Sequence, residues 1–188
     1  MKVSREQVAL NRERIVETAA RLFREKGYDG IGVADLMKGA GLTHGGFYGH
    51  FESKEDLLAE AAAHALKKSV ARWEGYLAED RATALEKIGD GYLTVQHRDH
   101  PEKGCSVTAL GADIARLGPK ARHAVTEGAT GQMAVLAELM PGADDAGKRK
   151  QALATYAAMV GAIVLSRAVD DEALSQEVLQ AVRDSLPG

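Results

Sequence analysis

Apolar residues along this chain recur at three- and four-residue intervals nearly throughout, which is the period of an amphipathic helix. Val8, Ile15, Ala19, Leu22 and Phe23 keep that spacing with Arg12, Arg14, Arg21 and Arg24 between them, and the run closes at Gly27, where a left-handed cap is expected. A short second helix is predicted over "VADLMKGAG", with Val33, Leu36 and Met37 on one face and Gly39 and Gly41 ending it. A third short helix follows Thr43 as N-cap. Leu42 and Phe47 are placed as a hydrophobic staple, and Phe51 continues the buried side. Ser53, with Asp56 three residues on, reads as the cap of a long helix through "KEDLLAEAAAHALKKSVARWEGYLAE". Further helices are predicted over "ATALEKIGDGYLTVQHRDH", ending before Pro101, over "CSVTALGADIARLG" and over "PKARHAVTEGATGQMAVLAELM". Two more, "KRKQALATYAAMVGAIVLSRAV" and "DEALSQEVLQAVRDSL", complete an all-α chain of about nine helices.

The order helix, short helix, glycine turn, short helix, long helix is that of a helix-turn-helix, whose second helix lies in the DNA major groove. The groove-entering candidate, "THGGFYGH", carries glycines at 45, 46 and 49, each costing a helix about 1 kcal/mol relative to alanine. Without side chains there, the backbone can approach a groove closely. Thr43 and His44 are then the candidates for reading base edges, with Gly45 and Gly46 admitting close approach, for instance to a thymine methyl.

Composition narrows the class. The chain has 188 residues, 45% of them hydrophobic and 27% charged, which is ordinary for one or two small folded domains and excludes disordered or low-complexity readings. The start of the chain interleaves charges with apolar residues and offers no uninterrupted apolar block, so no membrane association is expected and a cytoplasmic location is. Charge is unevenly placed. Residues 1 to 28 hold seven Lys/Arg against four Asp/Glu, whereas residues 55 to 188 hold fifteen against twenty. That asymmetry suits a nucleic-acid-facing head on an acidic body, and a solvated charged face would give the same count.

Residues 11 to 58 resemble the amino-terminal domain of TetR-family transcriptional regulators. "RERIVETAARLFREKGYDG" followed by "AGLTHGGFYGHFESKEDLL" is similar to that family's basic first helix, Gly-Tyr turn, Ala-Gly turn and Tyr-x-His-Phe-x-Ser-Lys-Glu-x-Leu-Leu ending. The resemblance implies a DNA-binding domain over residues 1–52 and a helical sensor and dimerisation domain over residues 53–188. It implies phosphate contacts from Tyr48, His50 and Lys54, the last also at a helix N-terminus. From the residues alone, Tyr48 could instead be an edge-of-core aromatic and His50 a surface histidine. One departure from the family is Ile31-Gly32 where a capping Ser or Thr is usual. The resemblance further implies a homodimer through the last two helices, where Ala154, Ala157, Ala158, Gly161 and Ala162 offer a small-residue surface and Ile163, Val164 and Leu165 apolar area; from the pattern alone, an internal core helix of a monomer is the alternative. It implies a partner in double-stranded operator DNA, and release from that DNA by a small-molecule inducer bound in the body. Trp73, Tyr76, Tyr92, Met133, Met140 and Tyr156 are candidates to line such a pocket, with plain core packing as the alternative.

Cys105, the single cysteine, follows a Pro and Gly loop at the start of a predicted helix, with Arg98, His100 and Lys103 near in sequence. A helix N-terminus and neighbouring cations favour the thiolate that reacts with electrophiles. The Gly-Cys placement resembles the N-ethylmaleimide-reductase repressor subset of the family, which implies sensing through that thiol; a small buried cysteine is the alternative. A different class remains open as well. His97, His100 and Cys105 are metal-ligand types within nine residues, so a zinc sensor or metal-dependent enzyme is conceivable, although no fourth ligand is evident. No P-loop, nucleophile elbow or dinucleotide fingerprint occurs, and no enzyme activity or cofactor is expected.

Overall fold

A computed structural model describes residues 4–187; the first three residues and Gly188, assigned above to the two domains, lie outside the described residues. Among the described residues the chain is all-α. Its nine α-helices are α1 (Arg5–Lys26), α2 (Val33–Gly39), α3 (Lys54–Glu79), α4 (Arg81–Tyr92), α5 (Val95–Asp99), α6 (Ser106–Ile114), α7 (Pro119–Leu139), α8 (Asp145–Ala168) and α9 (Glu172–Asp184). Two 3-10 segments, His44–Gly49 and Pro101–Lys103, lie between them.

The helix ends follow local chemistry. Ser4, Ser53, Thr94, Asp144 and Asp171 each place a side-chain oxygen on a backbone N–H of the first turn they cap, satisfying one of its orphan donors. Gly27 takes a positive φ of 75° and donates its N–H to the Phe23 carbonyl at 2.8 Å, closing α1 where expected. Gly32 caps α2 with its backbone alone. Ser53 accepts from the Asp56 N–H at 3.0 Å, while the Asp56 carboxylate reaches back to the Glu52 N–H at 3.4 Å, one residue earlier than a standard capping box.

Two expectations need correction. The third helix is a 3-10 turn, and Thr43 makes no side-chain cap; three glycines in six residues remove the propensity that would hold a longer α-helical run. The helix expected up to Pro101 breaks at Leu93, because Thr94 accepts the His97 N–H at 3.0 Å and starts α5 in a new direction.

Two apolar cores meet along α3. The first gathers Ile15, Phe23, Leu36, Met37, Phe47 and Phe51 onto Leu57 and Leu58, and extends to Leu110 and Ile114 of α6. The second joins Leu66 and Trp73 to Ile88, Leu136, Met159 and Ile163. One continuous helix therefore carries the hydrophobic floor of both halves, and rotation of either half about α3 would disturb both. The α8 helix is apolar on two sides. Tyr156, Met159, Ala162 and Ile163 face the second core, whereas Leu153, Ala154, Ala157, Ala158, Gly161, Val164 and Leu165 are exposed. Ala162 and Ile163, expected on a partner-facing surface, are instead inside the chain's own core.

α7 crosses α3 at glycines. A Cβ on Gly128 would run into the stem of Leu66, and one on Gly131 would meet Val70 at 3.0 Å. Gly75, on an exposed face of α3, has open space around it. We expect Gly128→Ala to destabilise the fold by about 1–3 kcal/mol through overpacking and Gly75→Ala to stabilise it by about 1 kcal/mol, measured by denaturant unfolding. Equal effects of the two substitutions would contradict this helix crossing.

Candidate nucleic-acid interface and thiol site

The helix-turn-helix places Thr43, His44, Gly45 and Gly46 together on an exposed edge. Phe47 turns inward as its anchor and is fully buried. Tyr48 is 73% exposed with its ring edge-on to Phe47 at 5.2 Å, so it is not a core aromatic. His50 is half-buried beside Phe51. Lys54 stands in the first turn of α3 with its ammonium 4.3 Å from the centre of the Tyr28 ring, a cation–π contact that fixes the charge beside the helix N-terminus.

The glycines of this edge meet no constraint inside the chain. Neither Gly45 nor Gly49 would bring a Cβ near any other atom, a methyl on Gly46 would make ordinary contact with Met37 at 3.7 Å, and none of the three has a positive φ. Alanine would fit at each and would favour the helix. Packing and backbone conformation within the chain therefore do not account for glycine at these three positions.

The thiol site is built from the loop between α5 and α6. Cys105 is the N-cap of α6 and is 6% exposed, so it is at once at a helix N-terminus and buried. Its N–H donates to His97 Nε2 at 3.0 Å, and its carbonyl accepts from the Thr108 hydroxyl at 2.9 Å. His97 Nδ1 lies 2.7 Å from the Tyr92 carbonyl, which requires Nδ1 to carry the proton and leaves Nε2 as acceptor. Both ring nitrogens are thus spent on backbone groups. Gly104 is required at its position because a Cβ there would enter the His97 ring.

That arrangement corrects the metal reading. His97 has no free lone pair, His100 turns to Glu102 at 3.2 Å, and the described residues contain no cluster of three metal-ligating side chains. The expected cationic neighbours of the thiol also change. Arg98 is drawn away to Asp99, Glu172 and Ser175. Lys103 and His100 do share a chamber of about 130 Å³ with Cys105, together with Arg72, Tyr92 and His97. Arg24 and Arg167, which sequence spacing does not bring near residue 105, come close enough for their charges to be felt there.

Of the residues expected to line a ligand pocket, Tyr92 alone borders this chamber. Trp73 and Tyr156 are buried core residues, with the Trp73 ring edge-on to Tyr92 at 6.0 Å and to Tyr156 at 6.5 Å. Tyr76 and Met133 are half-buried against the same core, and Met140 is buried within it. Burial and the nearby Cys105 sulfur push both the Tyr92 and Tyr156 hydroxyls above the usual tyrosine range. Tyr156 donates to Gln132 at 2.8 Å, whereas the buried Tyr92 hydroxyl has no partner among the described residues.

The loop is tied to both halves of the molecule. Arg24 of α1 donates from Nε and Nη2 to the Glu102 carbonyl at 3.2 and 2.6 Å, and the Tyr28 N–H donates to Asp113 of α6 at 2.9 Å. From the other side Arg167 of α8 donates to the carbonyls of His97 and Arg98 at 2.7 and 2.8 Å and reaches Thr108 at 3.3 Å.

A helix-turn-helix head fused to a helical body is an arrangement found in DNA-binding regulators. Residues 15–61 match the model of "Bacterial regulatory proteins, tetR family". The chain is 27% identical over 143 residues to the transcriptional repressor NemR of Escherichia coli, covering 69% of this chain and 66% of that one. It is 31% identical over 104 residues to the repressor AcnR of Corynebacterium diphtheriae, covering 54% of this chain and 47% of that one. The matches therefore span less than two thirds of these curated relatives. The fold superposes on the crystal structure of reduced E. coli NemR with a TM-score of 0.77 at 22% identity, over 93% of this chain and 94% of that one. Residues 15–61 thus carry the amino-terminal domain of that family, and the whole chain takes the fold of solved structures described as TetR-family transcriptional regulators.

Burial pushes His97 down from 6.5 to about 4. A depressed histidine is neutral in both states above pH 6.5, and its contribution to stability is lost as pH falls through that value toward 4, where the unfolded chain takes the proton first. We expect roughly 3 kcal/mol of stability to disappear over that window from this group. His97→Gln should lack that part of the slope in urea unfolding followed across pH. An unchanged slope would mean that the ring is not held neutral.

Proposed function

We propose that this chain is a homodimeric, operator-binding transcriptional repressor of the bacterial cytoplasm. In this reading residues 1–52 hold the DNA and residues 53–188 hold the partner subunit and the signal. The observation that carries it is the edge at residues 43–49, where three glycines meet no constraint inside the chain and the two residues before them, Thr43 and His44, are exposed. Thr43 and His44 read base edges, Gly45 and Gly46 admit the groove, and Tyr48, His50 and Lys54 hold phosphates. The exposed apolar side of α8, with Leu174 of α9 beside it in sequence, supports pairing of two copies through these helices. Two heads then engage two half-sites, which raises affinity and specificity together.

Cys105 is the signal input in this reading. The chamber beside it gives a small electrophile a place to sit, and the thiol stands at the α6 N-terminus with Arg72 and Lys103 lining the same chamber. An adduct on the sulfur enlarges a buried side chain whose backbone is clamped by His97 and Thr108. The displacement reaches α1 through Glu102 and Arg24 and reaches the Gly27–Tyr28 turn through Asp113. It disfavours the DNA-competent arrangement by the difference in stability of the adduct in the two states. A noncovalent inducer in the same chamber would act through the same two links.

Titration of the protein on DNA from around its own gene, before and after a thiol-selective electrophile, tests both parts. Tight binding that the electrophile abolishes, and that Cys105→Ser protects, is the expected result. Failure to prefer that DNA over random duplex would overturn the operator assignment, and equal sensitivity of Cys105→Ser would overturn the thiol input. Within the head, Lys54→Ala should weaken binding to every sequence and reduce the salt slope by about one phosphate contact, whereas His44→Ala should change the ranking of sequences. A uniform loss from His44→Ala would remove it from base reading.

A further inference from the structure

A groove of about 520 Å³ runs between α1 and α3, away from the edge that carries Thr43 to Lys54. Its walls bring together Arg14, Arg21 and Arg24 of α1, Lys68 and Arg72 of α3, and Lys103, against the carboxylates of Glu17 and Glu102 alone. Glu17 is taken up by Lys68 at 2.7 Å, and Arg21 is paired with Glu25 at 3.2 Å. Arg14, Arg72 and Lys103 make no ion pair among the described residues. Two nitrogens in the wall, Arg24 Nη1 and His64 Nε2, are shielded from solvent and have no hydrogen-bond partner there. An unpaired buried polar group costs about 1–3 kcal/mol, and a charged one more, so the Arg24 Nη1 donor in this cationic groove marks a place where an acceptor belongs.

DNA does not account for this charge. The α3 residues of the groove lie ten to eighteen positions beyond Lys54, about 15–27 Å along the helix axis from the turn that faces the operator. An even spread of surface charge does not account for it either, because the chain as a whole carries 24 Lys/Arg against 27 Asp/Glu. The groove also continues inward: Ser69, Arg72, Lys103 and Gly104 line both it and the chamber beside Cys105.

We propose that this groove is a binding site for a small molecule carrying a phosphate group, with the phosphate held by Arg14, Arg24, Arg72 and Lys103 and the rest of the ligand directed toward the Cys105 chamber. Guanidinium forks match phosphate oxygens in pairs, and several cations without carboxylate partners suit a group of more than one negative charge. A ligand here would touch α1 of the head and α3 at once, and would lie against the Arg24–Glu102 link.

Calorimetric titration of the full chain with inorganic pyrophosphate, at low salt and without DNA, tests the site independently of the operator reading. One saturable site per chain is expected. Arg72→Gln and Lys103→Gln should each weaken it about tenfold, while Arg122→Gln, a cation of α7 outside the groove, should leave it unchanged. Arg72 and Lys103 are exposed, so unchanged melting temperatures confirm that the variants fold. Absence of saturable heat, or equal weakening by Arg122→Gln, would overturn the site. Citrate binding as tightly as pyrophosphate would overturn the assignment to phosphate.

Discussion

Two guanidinium groups from distant parts of the chain close on one short segment. Arg24, at the end of the first helix, holds the Glu102 carbonyl, and Arg167, near the end of α8, holds the carbonyls of His97 and Arg98. Charge-assisted hydrogen bonds of this kind contribute about 1.5–3 kcal/mol each when shielded from water. Without them the segment from α5 to α6 would be a surface loop with freedom to shift. With them it is a fixed strut between the head and the helix whose outer face is left apolar, and Cys105 sits within it.

The same strut decides the chemistry available there. His97 is pressed between the Tyr92 carbonyl and the Cys105 N–H and is held neutral, which removes it from metal binding and from acid–base work near neutral pH. The absent side chain at Gly104 allows the ring to lie that close. The loop reads in sequence as a cluster of candidate ligands, and in the fold it is a cluster of backbone hydrogen bonds.

Much of the fold was legible from the residues. Gly27 and Ser53 marked helix ends that the structure reproduces, and the 54–79 helix has the bounds its sequence suggests. What was not legible turned partly on local competition for hydrogen bonds and partly on partners far away in the chain. The break at Leu93 turns on one Thr94 hydroxyl competing with helical hydrogen bonds, a choice that apolar periodicity does not register. Ala162 and Ile163 share a small-residue run with Gly161, and only the position of the second core says which of them face inward. Thr43, His44, Gly45 and Gly46, adjacent in sequence, are exposed together in the fold. Around Cys105 the expected His100 and Lys103 share its chamber, whereas Arg24 and Arg167 lie 81 and 62 positions away from it and nothing local points to them. Arg98, close in sequence, turns toward α9 because Glu172 and Ser175 offer better partners.

Arg24 and Arg167 grip main-chain oxygens, and every amino acid carries one. The two arginines themselves contact no side chain at positions 97, 98 and 102, so their grip does not depend on which residues stand there. A mechanical connection of this kind tolerates change in the side chains it passes through more readily than loss of either arginine.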